Sequence, residues 1–210
     1  GGSYNPQRSD FPAASAGVLV WMANKMIAQN SLDDAVAAME RLVEIYGDTG
    51  GEFLFDAHYL IGQAKEKERD YQSASVNYEA ALTNSSWHEN ANDARMRLGD
   101  SLIKVGESTN DKEVFQKASG FFSEIRSDTD TSLDQRAEAS FKMGECLRQV
   151  RDHAGAAFLY LETTLNFPSA VKWAPKSYEQ AIRCYEQTGQ TDQIARIEKQ
   201  YGDWQRKFLK

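Results

Sequence analysis

The stretch GQAKEKERDYQSASVNYEAAL, Gly62 to Leu82, places a small residue first, Ala twelve positions on and Tyr four further: Gly62, Ala74 and Tyr78. A second stretch, GECLRQVRDHAGAAFLYLETTL, repeats the arrangement as Gly144, Ala156 and Tyr160. Aligning the whole chain on the small residue gives Ala23, Gly62, Gly99, Gly144 and Ile182, with steps of 39, 37, 45 and 38 residues. The Ala and its large follower recur as Ala35 with Met39 and as Ala118 with Phe122. A period of a few tens of residues decides the architecture, because each unit must bury its apolar face against its neighbours. Five such units fit the chain.

Each unit reads as two helices. In the first, large apolar residues flank the small one, as in Leu98, Gly99, Leu102 and in Met143, Gly144, Leu147, the i, i+3, i+4, i+7 stripe of a helix with one buried face. Gly within a helix costs about 1 kcal/mol relative to Ala. It is tolerated where another group must come close. The Ala of the second helix allows the same approach, with Tyr78, Phe122 and Tyr160 filling the space beside it. The unit is an interlocking helical hairpin, and the chain is expected to be all-α.

Composition narrows the function classes. The 210 residues are 41% hydrophobic with only four prolines, which fits a folded chain. The longest apolar run, Val18 to Ala23, is far shorter than the roughly 20 residues a bilayer span needs, so no transmembrane segment is expected. A net charge of −7, from 31 acidic and 24 basic residues, disfavours nucleic acid, which requires clustered Lys and Arg. Cys146 and Cys184 cannot form a disulfide framework and read as small buried apolar residues.

Chemical motifs are sparse. Asp128, Asp130, Ser132 and Asp134 alternate as calcium-loop ligands do, but the central Gly is missing and the twelfth position is Ala139, so SDTDTSLD reads as a solvated connector. His58, His88 and His153 fall in different units without ligand-spaced partners, and no metal site or cofactor is expected. Asp33 and Asp34 sit at a helix start and read as caps. No nucleophile elbow, phosphate loop or dinucleotide fingerprint occurs, so neither an enzyme nor a small-molecule substrate is read here.

These residues resemble the tetratricopeptide repeat (TPR) family, whose unit is a pair of antiparallel helices with a small residue in each and an aromatic after the second. The likeness runs from about Gly17 to Tyr201, and Asp70-Tyr71 and Pro168 support it at a turn and a unit end. His58 and Ser140 stand where the family often has Trp, and the last unit lacks the Gly and the second-helix Ala. The resemblance implies a right-handed α-solenoid of about five hairpins, acting as a non-enzymatic protein-interaction scaffold. The links GDTGGEFLFDA, NSSWHENANDA and FPSAVKWAP exceed the family's usual length. In NFPSAVKWAPKSY and EIYGDTGGEF they resemble bacterial envelope TPR proteins such as the Tol–Pal coordinator and the lipoprotein of the outer-membrane β-barrel assembly machine. That subgroup implies a periplasmic or cell-envelope setting.

In stacked hairpins of this family the first helices line a concave groove. The residue three before the anchor is expected to project there, as Val20, Tyr59, Met96 and Phe141, with Tyr178 or Glu179 in the last unit. Gln63, Asp100 and Glu145 follow one after the anchor. The expected site for another protein or peptide is therefore Tyr59, Gln63, Met96, Asp100, Phe141, Glu145 and Arg148. The same apolar residues equally suit packing against the neighbouring unit. With Glu66, Asp100 and Glu145 the groove reads as acidic, and Arg97, Lys142 and Arg148 are too few for a carboxylate clamp. A basic or apolar partner fits better.

The opening GGSY has neither Met nor a charged-then-apolar leader and reads as a processed or joined end, so residues 1–16 are expected to be an extension. Residues 17–210 are expected to form one repeat domain, with a polar lengthened turn or helix extension at 106–114 and a C-terminal cap at 202–210. Trp204, Phe208 and Leu209 either close the last hairpin or meet another subunit. The alternative function is a self-assembling structural element, or a fragment of a larger envelope protein.

Overall fold

A computed structural model describes residues 14–47 and 51–209. Most of the expected extension, and the centre of the first link at 48–50, lie outside those residues. The described residues form ten α-helices and no strand: α1 (Ala16–Ala28), α2 (Leu32–Tyr46), α3 (Gly51–Lys67), α4 (Tyr71–Asn84), α5 (Ala91–Thr109), α6 (Lys112–Ser127), α7 (Leu133–Gln149), α8 (His153–Asn166), α9 (Ala174–Thr188) and α10 (Thr191–Phe208). None is long and apolar enough to cross a membrane. The chain divides between Val105 and Gly106, inside α5, into two compact units.

In the first unit α3 is the hub, packing on α1, α2 and α4. Its fit with α4 turns on Gly62. A Cβ at that position would lie 2.7 Å from the Tyr78 ring, closer than atoms can stand. Tyr78 is wholly buried, as are Ala74 and Ala81 on the same helix. The second unit repeats the contact between α7 and α8, where a Cβ on Gly144 would stand 2.6 Å from the buried Tyr160 ring. Lys67 then donates from Nζ to the Ile27 carbonyl at 2.7 Å, closing the C-terminal end of α1.

Four hairpins share one turn. The first helix ends on a residue at positive φ, namely Asn30, Arg69, Arg151 or Gly189. The N–H of that residue reaches back three positions and the next N–H reaches back five, as in Arg69 to Glu66 (3.0 Å) and Asp70 to Lys65 (2.9 Å). This pair of bonds satisfies carbonyls that the helix end leaves open. The following residue takes the N-cap position of the second helix, and in two of the four hairpins its side chain makes the capping bond. Asp70 accepts from the Ser73 N–H at 3.1 Å and Asp152 from the Gly155 N–H at 2.9 Å.

The links fold back onto the hairpins they follow. His88, between α4 and α5, stacks on Phe55 of α3 with ring centres 4.0 Å apart. Its Nδ1 accepts from the Asn90 N–H at 3.2 Å, and Nε2 lies 3.6 Å from Asp56. Trp173, between α8 and α9, packs on Phe141 of α7 at 5.4 Å and joins a buried cluster with Ala137, Phe167 and Ala170. The residues beyond the usual repeat length thus carry aromatic side chains into the core. His58 and Ser140, at positions often held by Trp in the family, bond to the second helix: His58 with Asn77 at 3.3 Å, Ser140 with Thr163 at 2.7 Å.

Two expectations need adjustment, and the structure decides between the stated alternatives at two other places. The cap of α2 is Ser31, and Asp33 and Asp34 lie in its first turn, where carboxylates still favour the positive helix end. The 106–114 stretch is almost all helix, with α5 running to Thr109 and α6 starting at Lys112. Seven extra residues amount to about two helical turns, enough to lengthen both helices. Near the new turn, a Cβ on Gly106 would meet the Phe115 ring at 2.8 Å. In the last unit Ile182 keeps its place relative to the turn, yet the buried small residue is Ala181. Tyr178 is buried and Glu179 exposed.

At the C-terminal end Trp204 packs into the last hairpin, while Leu209 is exposed. Trp204 is buried, its Nε1 donates to the Pro168 carbonyl at 2.6 Å, and it stacks with Phe208 beside Tyr178 and Tyr201. These aromatics close the last hairpin.

The close approaches predict that Gly62→Ala and Gly144→Ala each lower stability by about 1–3 kcal/mol through overpacking. Gly120→Ala, in open space on α6, should instead raise it by up to about 1 kcal/mol. Urea unfolding of the three variants checks both signs. Replacing Arg69 or Arg151 by Gly removes the strain of a side chain at positive φ, and should raise the thermal midpoint.

Candidate functional site

The residues around Tyr59 in the first unit are organised by charge. Tyr59 on α3 donates its hydroxyl to Asp93 on α5. One turn along α5, Arg97 forks between two carboxylates, with Nε 2.6 Å from Asp93 and a terminal nitrogen 3.0 Å from Glu66 of α3. Glu66 also accepts the Tyr78 hydroxyl at 2.6 Å. Two phenols, two carboxylates and one guanidinium therefore join α3, α4 and α5. Hydrogen bonds to charged groups contribute about 1.5–3 kcal/mol each where water is excluded.

The second unit uses a shorter version. Tyr160 of α8 donates to Glu145 of α7, and Arg148 holds the same carboxylate with a terminal nitrogen at 2.7 Å. Phe141 lies between Tyr160 and Trp173, with ring centres 5.3 and 5.4 Å away. Beside Arg148, a cavity of about 390 Å³ is lined by His153, Gln180, Arg183, Cys184 and Gln187.

Burial is the main cause of the shifted phenol and thiol ionisations. It pushes the Tyr59 phenol up to about 12, with the bond to Asp93 acting in the same direction. Tyr78 and Tyr160 are pushed higher still by burial, then by Glu66 and Glu145. Burial likewise raises the Cys184 thiol; both cysteines are free and buried.

The expected site residues thus fall into two sets. Tyr59 is buried, its ring stacked near Phe55 and its hydroxyl engaged. Gln63, Met96, Asp100, Phe141, Glu145 and Arg148 are half-buried, with Glu145 and Arg148 bound to each other. In the first unit Tyr59 is brought against α5, the helix that carries Met96 and Asp100. In the second, Phe141, Glu145 and Arg148 share α7. The cations that read as spare are occupied: Arg97 by Asp93 and Glu66, Lys142 by Glu138 at 3.0 Å, and Arg148 by Glu145.

Asp93 and Trp173 were not legible as site neighbours. Asp93 joins Arg97 at i, i+4, a pattern too common on exposed helices to mark a network by itself. Among the described residues no group of three or more His, Cys, Asp or Glu is placed to hold a metal ion. Asp128 accepts from the Asp130 N–H at 3.0 Å and from the Thr131 hydroxyl at 2.7 Å, as a connector residue does.

One hairpin can be assigned by sequence. Residues 55–86 match the tetratricopeptide repeat family. The match spans α4 and most of α3, including Gly62, Ala74 and Tyr78. No curated protein sequence matches the chain.

Solved structures extend the fold likeness over nearly the whole length. YrrB, described as a TPR protein with an unusual peptide-binding site, is 20% identical, with a TM-score of 0.62 over 91% of this chain and 87% of its own. MamA is 14% identical, with a TM-score of 0.66 over 91% and 92%. PilF of Pseudomonas aeruginosa is 14% identical, with a TM-score of 0.60 over 90% and 74%. At these identities the likeness shows the fold: all-α, built of TPR-type helical hairpins.

The raised phenols set an alkaline limit on stability. An exposed tyrosine ionises near pH 10, whereas the folded chain holds these three neutral beyond it. Their stabilising contribution is complete below about pH 10, where neither state has ionised, and is lost as the pH rises towards about 12 and the unfolded phenols ionise first. Tyrosinate absorbance of the native chain should lag behind that of the chain in denaturant. Coincident titrations would show that the three hydroxyls are not held as described.

Proposed function

We propose that this chain is a non-enzymatic adaptor that binds a peptide or protein segment on the faces of its first helices. The observation that carries the reading is the TPR-type hairpin, assigned by sequence at residues 55–86 and continued in fold along the chain. Within each unit, packed helices present half-buried side chains at helical spacing, which suits capture of an extended or helical segment.

In the first unit, Gln63 on α3 with Met96 and Asp100 on α5 supplies one apolar contact flanked by hydrogen-bonding groups. In the second, Phe141, Glu145 and Arg148 on α7 supply another. Tyr59 supports its face from beneath, because its hydroxyl is committed to Asp93. Glu66 and Glu145 are each paired with an arginine, so the local field is weaker than a count of acidic residues suggests. The partner is therefore recognised chiefly by apolar anchors and backbone hydrogen bonds. A bacterial envelope setting belongs to this proposal only through the resemblance of NFPSAVKWAPKSY. Of the segment that motivates self-assembly, Trp204 is buried in the last hairpin and Phe208 is half-buried against it, which favours the adaptor reading.

A peptide library displayed on phage and selected against the intact chain supplies the probe. Met96→Ala and Phe141→Ala should each weaken the selected peptides by about tenfold or more, equivalent to about 1.4 kcal/mol, while circular dichroism stays helical. Peptides that bind both variants as tightly as the parent would remove the first-helix faces as the site.

A further inference from the structure

The second helices of the C-terminal unit carry a feature that the adaptor reading does not use. On α8, Phe158 and Leu165 are 67% and 76% exposed, and Leu161 lies between them on the same face. Spacings of three, four and seven residues put the three side chains in one stripe, the pattern by which a helix buries a face against another helix. This stripe is open at both ends, at Phe158 and at Leu165.

The stripe forms one wall of a groove of about 530 Å³. Tyr185 of α9 lies at its floor and α10 forms the opposite wall through Gln193, Arg196, Ile197 and Gln200. Ile197 is buried and the other three line the wall at helical spacing. Two walls of helix enclosing an apolar floor make a seat for a third helix, which would add its own ridge between them.

Charge selects the occupant. Two ionic side chains line the groove. Glu162 is neutralised by Arg126, with nitrogen and oxygen 2.6 Å apart. Arg196, on the opposite wall, has no ion-pair partner among the described residues. The uncompensated charge at the rim is therefore positive, although the chain as a whole carries −7. An acidic partner gains a contact at Arg196 that a basic one lacks, and a basic one meets repulsion.

We propose that the groove between α8 and α10 is a second docking surface, and that it takes an amphipathic helix with an apolar ridge at i, i+3 or i+4, and i+7 and a carboxylate beside the ridge facing Arg196. Its walls are the second helices α8 and α10, and none of its lining residues belongs to the first-helix site on α3, α5 and α7 assigned above, so the two are independent. One chain can hold two different partners.

Two synthetic helical peptides test this, sharing one leucine ridge, flanked by Glu in one and by Lys in the other, each labelled for fluorescence anisotropy with the full chain. The Glu peptide should bind about tenfold or more tightly than the Lys peptide. Phe158→Asp and Leu165→Asp, at exposed positions that leave the fold intact, should each reduce that binding by tenfold or more. Arg196→Glu should reverse the preference. Met96→Ala should leave this binding unchanged, which separates failure here from failure of the first-helix site. Binding insensitive to Phe158→Asp, or a preference indifferent to Arg196→Glu, overturns the proposal. So does a concentration-dependent dimer of the chain abolished by Phe158→Asp, since the occupant would then be a second copy.

Discussion

The hairpins depend on one contact, an aromatic ring laid on a glycine. Tyr78 on Gly62 and Tyr160 on Gly144 bring two helices closer than any side chain at the glycine position would allow. The ring fills the space and excludes water, and its hydroxyl must then find a partner inside the protein. Glu66 and Glu145 supply it from different positions on their helices, four residues and one residue after the glycine. Packing density and polar satisfaction meet at the same side chain. A half-buried carboxylate is favoured by a cation beside it, and Arg97 and Arg148 complete the set.

The links follow from the same economy of burial. A hairpin covered on one side leaves apolar surface on its first helix, where Phe55 and Phe141 sit. His88 and Trp173 cover these sites from the connecting segments. Lengthening a repeat by a few residues costs little loop entropy, whereas burying an aromatic side chain contributes about 1.5–3 kcal/mol. The lengthened third hairpin is solved differently, by extending both helices, which keeps backbone groups bonded without a long loop.

These constraints also separate structural residues from those left for function. Tyr59 has its ring buried and its hydroxyl bonded, so its first duty is to hold α3 to α5. Met96 and Phe141 retain partial exposure on either side of such supports. On the second helices, Phe158 and Leu165 are large, apolar and open, beside an arginine with no counter-charge among the described residues. A surface of that kind is unfavourable in water unless it is covered for part of the protein's life.

Spacing in the sequence determined the helical hairpins, their number and the small-to-large contact within them, because a recurring Gly-to-Ala-to-Tyr interval has few other packed solutions. It also made Pro168 legible as a unit end, and Cys146 and Cys184 as buried apolar residues. The last register was ambiguous because Ile182 keeps the turn alignment while Ala181 meets the core, a shift of one residue that only side-chain packing decides. The network of Tyr59, Asp93, Arg97, Glu66 and Tyr78 was hidden because its members come from three helices. Each is unremarkable on its own helix. Only the tertiary structure places them within hydrogen-bonding distance, and only it leaves the Phe158 stripe uncovered, since exposure is a property of neighbours that a linear pattern does not contain.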